Sequence, residues 1–468
     1  MKPSLMFVAA LPLSLAGCVV GPNYHVPEHS MFRQPSANGA FTSGKEAVFA
    51  QAPLPDHWWH LYDDARLDAY ITEALRANTD LRAADANLRR ATFVVREAQA
   101  GRFITTTISG GAQIARVGGY TLPLPGLSYS YSLGAGISYP LDLAGGIRRG
   151  IEAAKADSEA TQAARDQVRV TVAAAVARSY VDICSANTTL AATQRVLAVQ
   201  GQTLDVTRRL ATGGRSTAFD VTRAEAAVHQ SAAAIPTIAA DRQAALYELA
   251  ALMGRAPEDY PREAENCANA PELKVPLPIG DGSALIRRRP DIRAAERNLA
   301  AATATIGVEM AQLYPQVSIG GSFGAAGPFS HFLSGSSLGG ALGPLVNFSF
   351  PNRAVAHARI QEAGAAAEAA SAQFDGTVIS ALQQTETSLD DYAREIDRDR
   401  ELTQARDDAA KATDQANRLY KFGRTSFIDV LTSQANLANA EAALATSHAT
   451  LVDRQINVFL ALGGGWHG

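Results

Sequence analysis

Hydrophobic and polar positions along this chain follow two periods. From Tyr129 to Tyr139 the sequence YSYSLGAGISY sets Tyr129, Tyr131, Leu133, Ala135, Ile137 and Tyr139 against Ser130, Ser132, Gly134, Gly136 and Ser138 without interruption. A period of two predicts a strand. Taken alone, the segment fits a half-buried strand of a soluble sheet or, at roughly 11 residues with small polar groups on one face, a membrane-spanning strand. A strand from Phe103 to Gln113 precedes it, and the Gly/Pro-rich loop Val117 to Leu127 makes the pair a hairpin. Alternation returns at Val317, Ile319, Gly321 and Phe323. After a Gly/Ser loop from Ala325 to Gly343 it returns again at Val346, Phe348 and Phe350, set against Asn347 and Ser349.

Nearly everything else repeats with the helical period. Between Arg66 and Gly101, Leu67, Ile71, Leu75, Leu81 and Leu88 recur on one face. From Gly146 to about Ala211 there is no proline, and Gly201 is the only glycine after Gly150. That pattern predicts one helix of roughly 65 residues, about 100 Å long. The turn Thr212-Gly213-Gly214-Arg215 leads to a returning helix from about Thr217 to Met253, in which Pro236 predicts a kink or break. Alanine at many contact positions allows close antiparallel packing.

After a proline-rich stretch, Pro257 to Gly282, the order restarts. Asp80 to Leu88 (DLRAADANL) reappears as Asp291 to Leu299 (DIRAAERNL), and Pro351 follows its strand as Pro140 follows the first. A second long helix, about Ala354 to Lys421, ends at Gly423-Arg424-Thr425-Ser426, which mirrors Gly214-Arg215-Ser216-Thr217; the last helix runs from Phe427 to about Leu462. The chain therefore reads as a tandem duplication. Residues 1–17 form a removable signal, 18–65 an N-terminal arm, 66–254 the first repeat with its hairpin at 103–139, and 255–283 a linker. Residues 284–463 form the second repeat, with a hairpin at 315–350, and 464–468 a tail. Each copy yields two strands. A barrel takes about eight, and an open sheet edge is not tolerated in lipid, so closure calls for several chains; three would bring twelve strands.

The start of the chain adds an address. Lys2, the apolar run Leu5 to Leu15 and then Leu15-Ala16-Gly17-Cys18 are a secretory signal ending in a lipobox. The mature protein is expected to begin at acylated Cys18, with that covalent lipid as its only added group. Val19 in place of aspartate points to the outer rather than the inner membrane. In an oxidising compartment Cys184 and Cys267 either pair or remain two buried thiols. The Trp58-Trp59 pair reads as a packing anchor for the arm. With 42 Lys+Arg against 46 Asp+Glu, no basic excess marks a nucleic-acid partner. The histidines are scattered, no metal-ligand spacing occurs, and no serine sits in a nucleophile elbow, so the chain does not read as an enzyme.

These segments resemble the TolC-like outer-membrane efflux protein family, in its acylated NodT-type branch. The resemblance covers nearly all of Cys18 to Trp466. It rests on the lipobox with Gly21-Pro22-Asn23-Tyr24, on Trp58-Trp59, on Arg288-Arg289-Pro290-Asp291-Ile292-Arg293-Ala294-Ala295-Glu296 and on Leu313-Tyr314-Pro315. Tyr420-Lys421-Phe422-Gly423, Asp429-Val430-Leu431 and Ala461 to Trp466 complete it. It implies an α+β membrane protein, each chain one protomer of a homotrimer. In that trimer a twelve-stranded outer-membrane β-barrel continues into a long periplasmic α-helical barrel with an equatorial collar. The implied partners are a periplasmic adaptor (membrane fusion) protein and an inner-membrane transporter, most often of the resistance-nodulation-division type, with outer-membrane lipid around the strands. A protein-secretion duct, or a structural periplasmic lipoprotein without a pore, are the alternatives.

The resemblance also implies a periplasmic gate where the helix pairs turn. Asp429 matches the position whose carboxylates ring the aperture, Asp220 is its repeat partner, and Tyr420 matches a residue of the network that holds the closed state. Thr432 stands where some relatives carry a second acidic ring, so one ring or two remains open. Asp220 and Asp429 equally suit helix N-termini, where a carboxylate meets the helix dipole. Gly214, Arg215, Gly423 and Arg424 would face the adaptor.

Overall fold

The structure, a computed structural model, describes residues 19–116, 127–347 and 352–464. The signal, Cys18, the loop at 117–126, Phe348, Phe350, Pro351 and Trp466 lie outside them. In chain order the elements are α1 (Pro35–Asn38), β1 (Phe49–Ala50), α2 (Ala65–Ala77), α3 (Thr79–Ala100), β2 (Thr105–Arg116), β3 (Leu127–Leu141), α4 (Gly146–Thr212) and α5 (Ala218–Leu252). Then follow β4 (Leu277–Pro278), α6 (Gly282–Arg288), α7 (Pro290–Ala311), β5 (Gln316–Pro328), β6 (Leu338–Asn347), α8 (Arg353–Lys421) and α9 (Phe427–Ala461). The chain divides into two compact bodies, one of Met1–Pro27, Arg89–Ala160 and Ala295–Gln373, the other of Glu28–Leu88, Thr161–Ala294 and Phe374–Gly468.

In the first body, β2, β3, β5 and β6 form one antiparallel sheet in that order. The two hairpins meet through β3 and β5, with Leu133 opposite Ala325 and Ile137 opposite Gly321. Alternation makes one face apolar, and it is open: Ile108 is 92% exposed and Leu342 84%, with Ile114, Leu133, Ile137, Ile319 and Phe323 also exposed. Thr107, Ser109, Ser132 and Ser322 take the alternate positions along the strands. Tyr131 departs from the open pattern. A turn folds over it, Leu333 N–H donates to its hydroxyl at 2.7 Å, and the Phe332 ring lies 4.7 Å away. The strands of the second hairpin run to Pro328 and resume at Leu338, so much of the expected Ala325 to Gly343 loop is strand.

The second body holds the arm from Glu28 onward, the linker at 255–283 as a connector, and most of the helical packing. The periodic stretch after Arg66 is two helices rather than one. Asn78 parts them because its side-chain oxygen accepts from the Asp80 and Leu81 N–H groups, which makes it the cap of α3. Likewise α6 stops before Pro290, which opens α7 with its fixed φ and no N–H to satisfy. Pro236 does not break α5, which is continuous across it. The arm is turns and short 3₁₀ segments laid on α8: Asp375 accepts from the Ser30 hydroxyl and the Met31 N–H, and Glu386 from the N–H groups of Thr42 and Ser43. Trp58 and Trp59 are buried, Trp58 stacked 4.6 Å from Phe459.

The connector is also structured. Its β4 pairs in parallel with β1. Cys184 on α4 and Cys267 are joined by a disulfide, Cα to Cα 4.9 Å, and the Asn187 amide donates to the Glu265 and Cys267 carbonyls beside it. The bridge closes a loop with a sequence separation of 83. By chain entropy, closing a loop of that length stabilises the folded state by about 4.5 kcal/mol. Alkylation of unreduced, unfolded protein is therefore expected to label neither cysteine. Cys267→Ala, with Cys184→Ala, should lower the denaturation midpoint and expose 255–283 to protease; labelling of both thiols would refute the bridge.

Candidate functional site

Both long helices end in the same chemistry. At the end of α4 the Gly214 N–H donates to Ala211 O (3.0 Å) and the Arg215 N–H to Leu210 O (2.8 Å). At the end of α8, Gly423 donates to Tyr420 O (2.9 Å) and Arg424 to Leu419 O (2.9 Å). This double bonding is a Schellman closure, and it places its glycine in the left-handed region: φ is +71° at Gly214 and +70° at Gly423. A side chain at either position would meet nothing within 4 Å, so the backbone conformation alone demands glycine. Arg215, Arg424 and Phe422 are exposed at these tips.

The return helices start with matching capping boxes. In α5, Thr217 Oγ1 accepts from the Asp220 N–H, while Asp220 Oδ2 accepts from Thr217 N–H (3.1 Å), Thr217 Oγ1 (2.8 Å) and Ser216 Oγ (3.1 Å). In α9, Ser426 Oγ accepts from the Asp429 N–H, and Asp429 Oδ2 accepts from Ser426 N–H (3.1 Å), Ser426 Oγ (2.6 Å) and Thr425 Oγ1 (2.7 Å). These bonds favour the charged form. The Thr217 hydroxyl and N–H hold the Asp220 carboxyl below its ordinary 3.8, and the Ser426 and Thr425 hydroxyls do the same for Asp429.

The two turns differ in what surrounds them. Leu204, Ala224 and Phe427 form a small core with Val221, Val228, Tyr420 and Leu431 packed on it, and the Tyr420 ring lies 5.6 Å from that of Phe427. Burial pushes the Tyr420 hydroxyl above its usual range. Ser216 and Thr207 oppose the shift by hydrogen bonding, and the Asp220 charge adds to it. Tyr420 is thus brought to the turn of the other repeat, beside Ser216 and Asp220, while the Asp429 carboxylate is held by its own turn. Thr432 is exposed on α9. Sequence reasoning missed the polar bonds that join the repeats here. Gln434 Nε2 donates to Thr203 Oγ1 at 2.7 Å, and both Gln434 and Thr207 are buried. A polar residue at a core-facing register position was the available signal.

Among the described residues no group of three or more His, Cys, Asp or Glu is placed to hold a metal ion, and no helix is long and apolar enough to cross a membrane. The arrangement offers long paired helices, turns with exposed carboxylates and a sheet with an open apolar face. Those features fit an outer-membrane channel protein, mostly helical, with a four-stranded and a two-stranded sheet among the described residues.

Comparison with known proteins agrees. The sequence model of one family, described as outer membrane efflux protein, matches residues 70–255 and 282–464. Nodulation protein T of Rhizobium leguminosarum bv. trifolii is 28% identical, over 97% of this chain and 96% of its own length. The probable efflux pump outer membrane protein TtgC of Pseudomonas putida is 28% identical, over 100% of this chain and 96% of its own. The solved outer-membrane channel OprN is 30% identical with a TM-score of 0.88, covering 96% of this chain and all of that one. The chain belongs to the outer membrane efflux protein family and is of the NodT type. It is an outer-membrane efflux channel.

A depressed carboxyl contributes stability that is complete above its unfolded value, near pH 4, and is lost as pH falls through the lower folded value. Amide exchange in the first turns of α5 and α9, corrected for intrinsic rates, should therefore speed up below about pH 4. At neutral pH, Thr217→Ala and Ser426→Ala should each speed it roughly fivefold in their own turn. Unchanged exchange in both variants would mean that the boxes do not hold the turns.

Proposed function

We propose that this protein is the exit duct of a tripartite efflux system, assembled as a homotrimer. One observation carries the reading. The sheet exposes an apolar face, and among the described residues its outer strands β2 and β6 each pair on one side only. Lipid tolerates the face and not the edges. Three copies joined edge to edge supply twelve strands, enough to close a barrel. In this reading the repeats 66–254 and 284–463 are staves of the wall. The helices α4, α5, α8 and α9 line a periplasmic helical barrel, and the arm, connector and α6 form the collar. Acylated Cys18 anchors each copy to the periplasmic face of the outer membrane. Transport through the duct is passive and needs no catalytic group.

The energy comes from an inner-membrane transporter, with the resistance-nodulation-division class favoured, linked through a periplasmic adaptor that meets the turns at Gly214, Arg215, Gly423 and Arg424. Relatives named for efflux of antibiotics, toluene and solvents support small toxic compounds as cargo. At the gate, Asp429 and Asp220 carry charge, and closure rests on the packing of Tyr420 with Phe427 and Leu204, because converging carboxylates repel. Thr432 supplies no second ring of charge.

Crosslinking in native membranes is expected to give a trimer, and purified protein should conduct in planar bilayers. A monomer without conductance would refute the reading. Within a conducting channel, Asp429→Asn should weaken cation selectivity and block by multivalent cations. If both stayed at wild-type values, the ring assignment would fall while the duct remained.

A further inference from the structure

The first described residues of the chain are held far more tightly than a tether needs. All of the contacts lie within the first body. Arg149, in the first turn of α4, is 3% exposed and spends its guanidinium on the arm. Its Nε donates to Val20 O (3.1 Å), and its Nη2 donates to Gly21 O (2.9 Å) and Asn23 Oδ1 (2.8 Å). Its Nη1 is paired with Glu152 at 2.7 Å, so the buried charge is compensated. Val20 N–H donates to Ala144 O at 3.1 Å.

Three glycines make room for this seat. Gly21 has φ +88°, and a Cβ there would lie 2.5 Å from Gly307 Cα on α7. A Cβ on Gly307 would lie 2.7 Å from Arg149 Cγ, and one on Gly145, at φ +79°, 2.8 Å from Val19 Cα. Tyr24 ends the seat. Its hydroxyl donates to Glu296 on α7 at 3.0 Å, Arg297 lies 5.4 Å over its ring, and it packs on Ala156, Ala300 and Ala301. The segment therefore ties a helix of the first repeat to a helix of the second.

Its place gives it meaning. Val19 and Val20 meet the chain at Ala144 and Gly145, between the end of β3 at Leu141 and the start of α4 at Gly146, and Phe103, Leu143 and Tyr314 near the strand ends are exposed apolar groups of the kind that meets a membrane interface. One peptide link, about 3.8 Å, separates Val19 from the residue before it in the chain. We propose that Arg149, with Gly21 and Gly307, forms a seat that couples the lipid on Cys18 to barrel assembly. The lipid holds the chain at the membrane, and the seat transmits that hold to the strand ends of both hairpins. This rests on the reading of Cys18 as acylated.

The test is a cycle in cells. The full chain and Arg149→Ala are each made with Cys18 acylated, and each with Cys18→Ser behind an ordinary signal peptide; heat-resistant trimer in the outer membrane is measured, with radiolabelled palmitate reporting acylation. Arg149→Ala is expected to take up palmitate normally. It should cut trimer in the acylated chain about tenfold, to the level of the unacylated one, the factor expected when buried carbonyls lose a charged donor. It should lower the unacylated chain no further. Gly21→Ala, which displaces the arm without altering a helix, should reproduce the pattern. An equal loss in both backgrounds would make Arg149 a structural bolt alone and overturn the coupling, as would full trimer in the unacylated wild type. Failure of the wild type to take up palmitate would overturn the acylation reading itself.

Discussion

Backbone amides and carbonyls cannot go unpaired in hydrocarbon, and the rest of this protein is arranged around that rule. Each chain presents a four-stranded sheet whose large side chains, Ile108, Phe323 and Leu342 among them, are already turned outward. A soluble sheet would have covered them. Here the uncovered face suits lipid, and among the described residues the outer edges of β2 and β6 have no neighbouring strand. In the proposed trimer each edge is satisfied by another copy, which would make assembly a condition of stability in the membrane.

Duplication does not make the two halves equivalent. Asp166 on α4 and Asp375 on α8 lie equally far before Gly214 and Gly423. Asp375 receives the Ser30 hydroxyl and the Met31 N–H of the arm. Asp166 is fully buried with Arg165 at 3.3 Å and Arg293 at 3.9 Å, and burial raises its carboxyl above the ordinary value against the pull of those arginines. Phe374 supplies a ring for Phe32 where the first repeat has Arg165. A single arm has one place to lie, so the matching site on the other repeat is filled by side chains. The connector, in turn, is bonded to α4 through Cys267 and Asn187.

The turns show how local and distant information divide at the candidate site. The spacing Thr217-x-x-Asp220 and Ser426-x-x-Asp429 after a glycine spells a helix stop and a helix start, and the structure contains those caps atom by atom. The same bonds explain why both carboxylates stay charged, without reference to any pore. What no spacing contains is that Tyr420 of one repeat lies beside Ser216 and Asp220 of the other, or that Gln434 reaches Thr203. Those groups are far apart in the chain, and their pairing depends on how two antiparallel helix pairs lie against each other.

From the sequence alone came the strand and helix periods, the duplication and the glycine turns. Each depends on residues within a few positions of one another or on a repeated pattern. Only the tertiary structure decided that Asn78 ends a helix, that Pro236 does not, that Tyr131 is covered, that Cys184 meets Cys267 and that Arg149 grips the arm. A cap or a proline inside a periodic stretch has two locally acceptable outcomes. Packing against residues hundreds of positions away selects one of them, because the burial and hydrogen bonding gained there outweigh the small local preference.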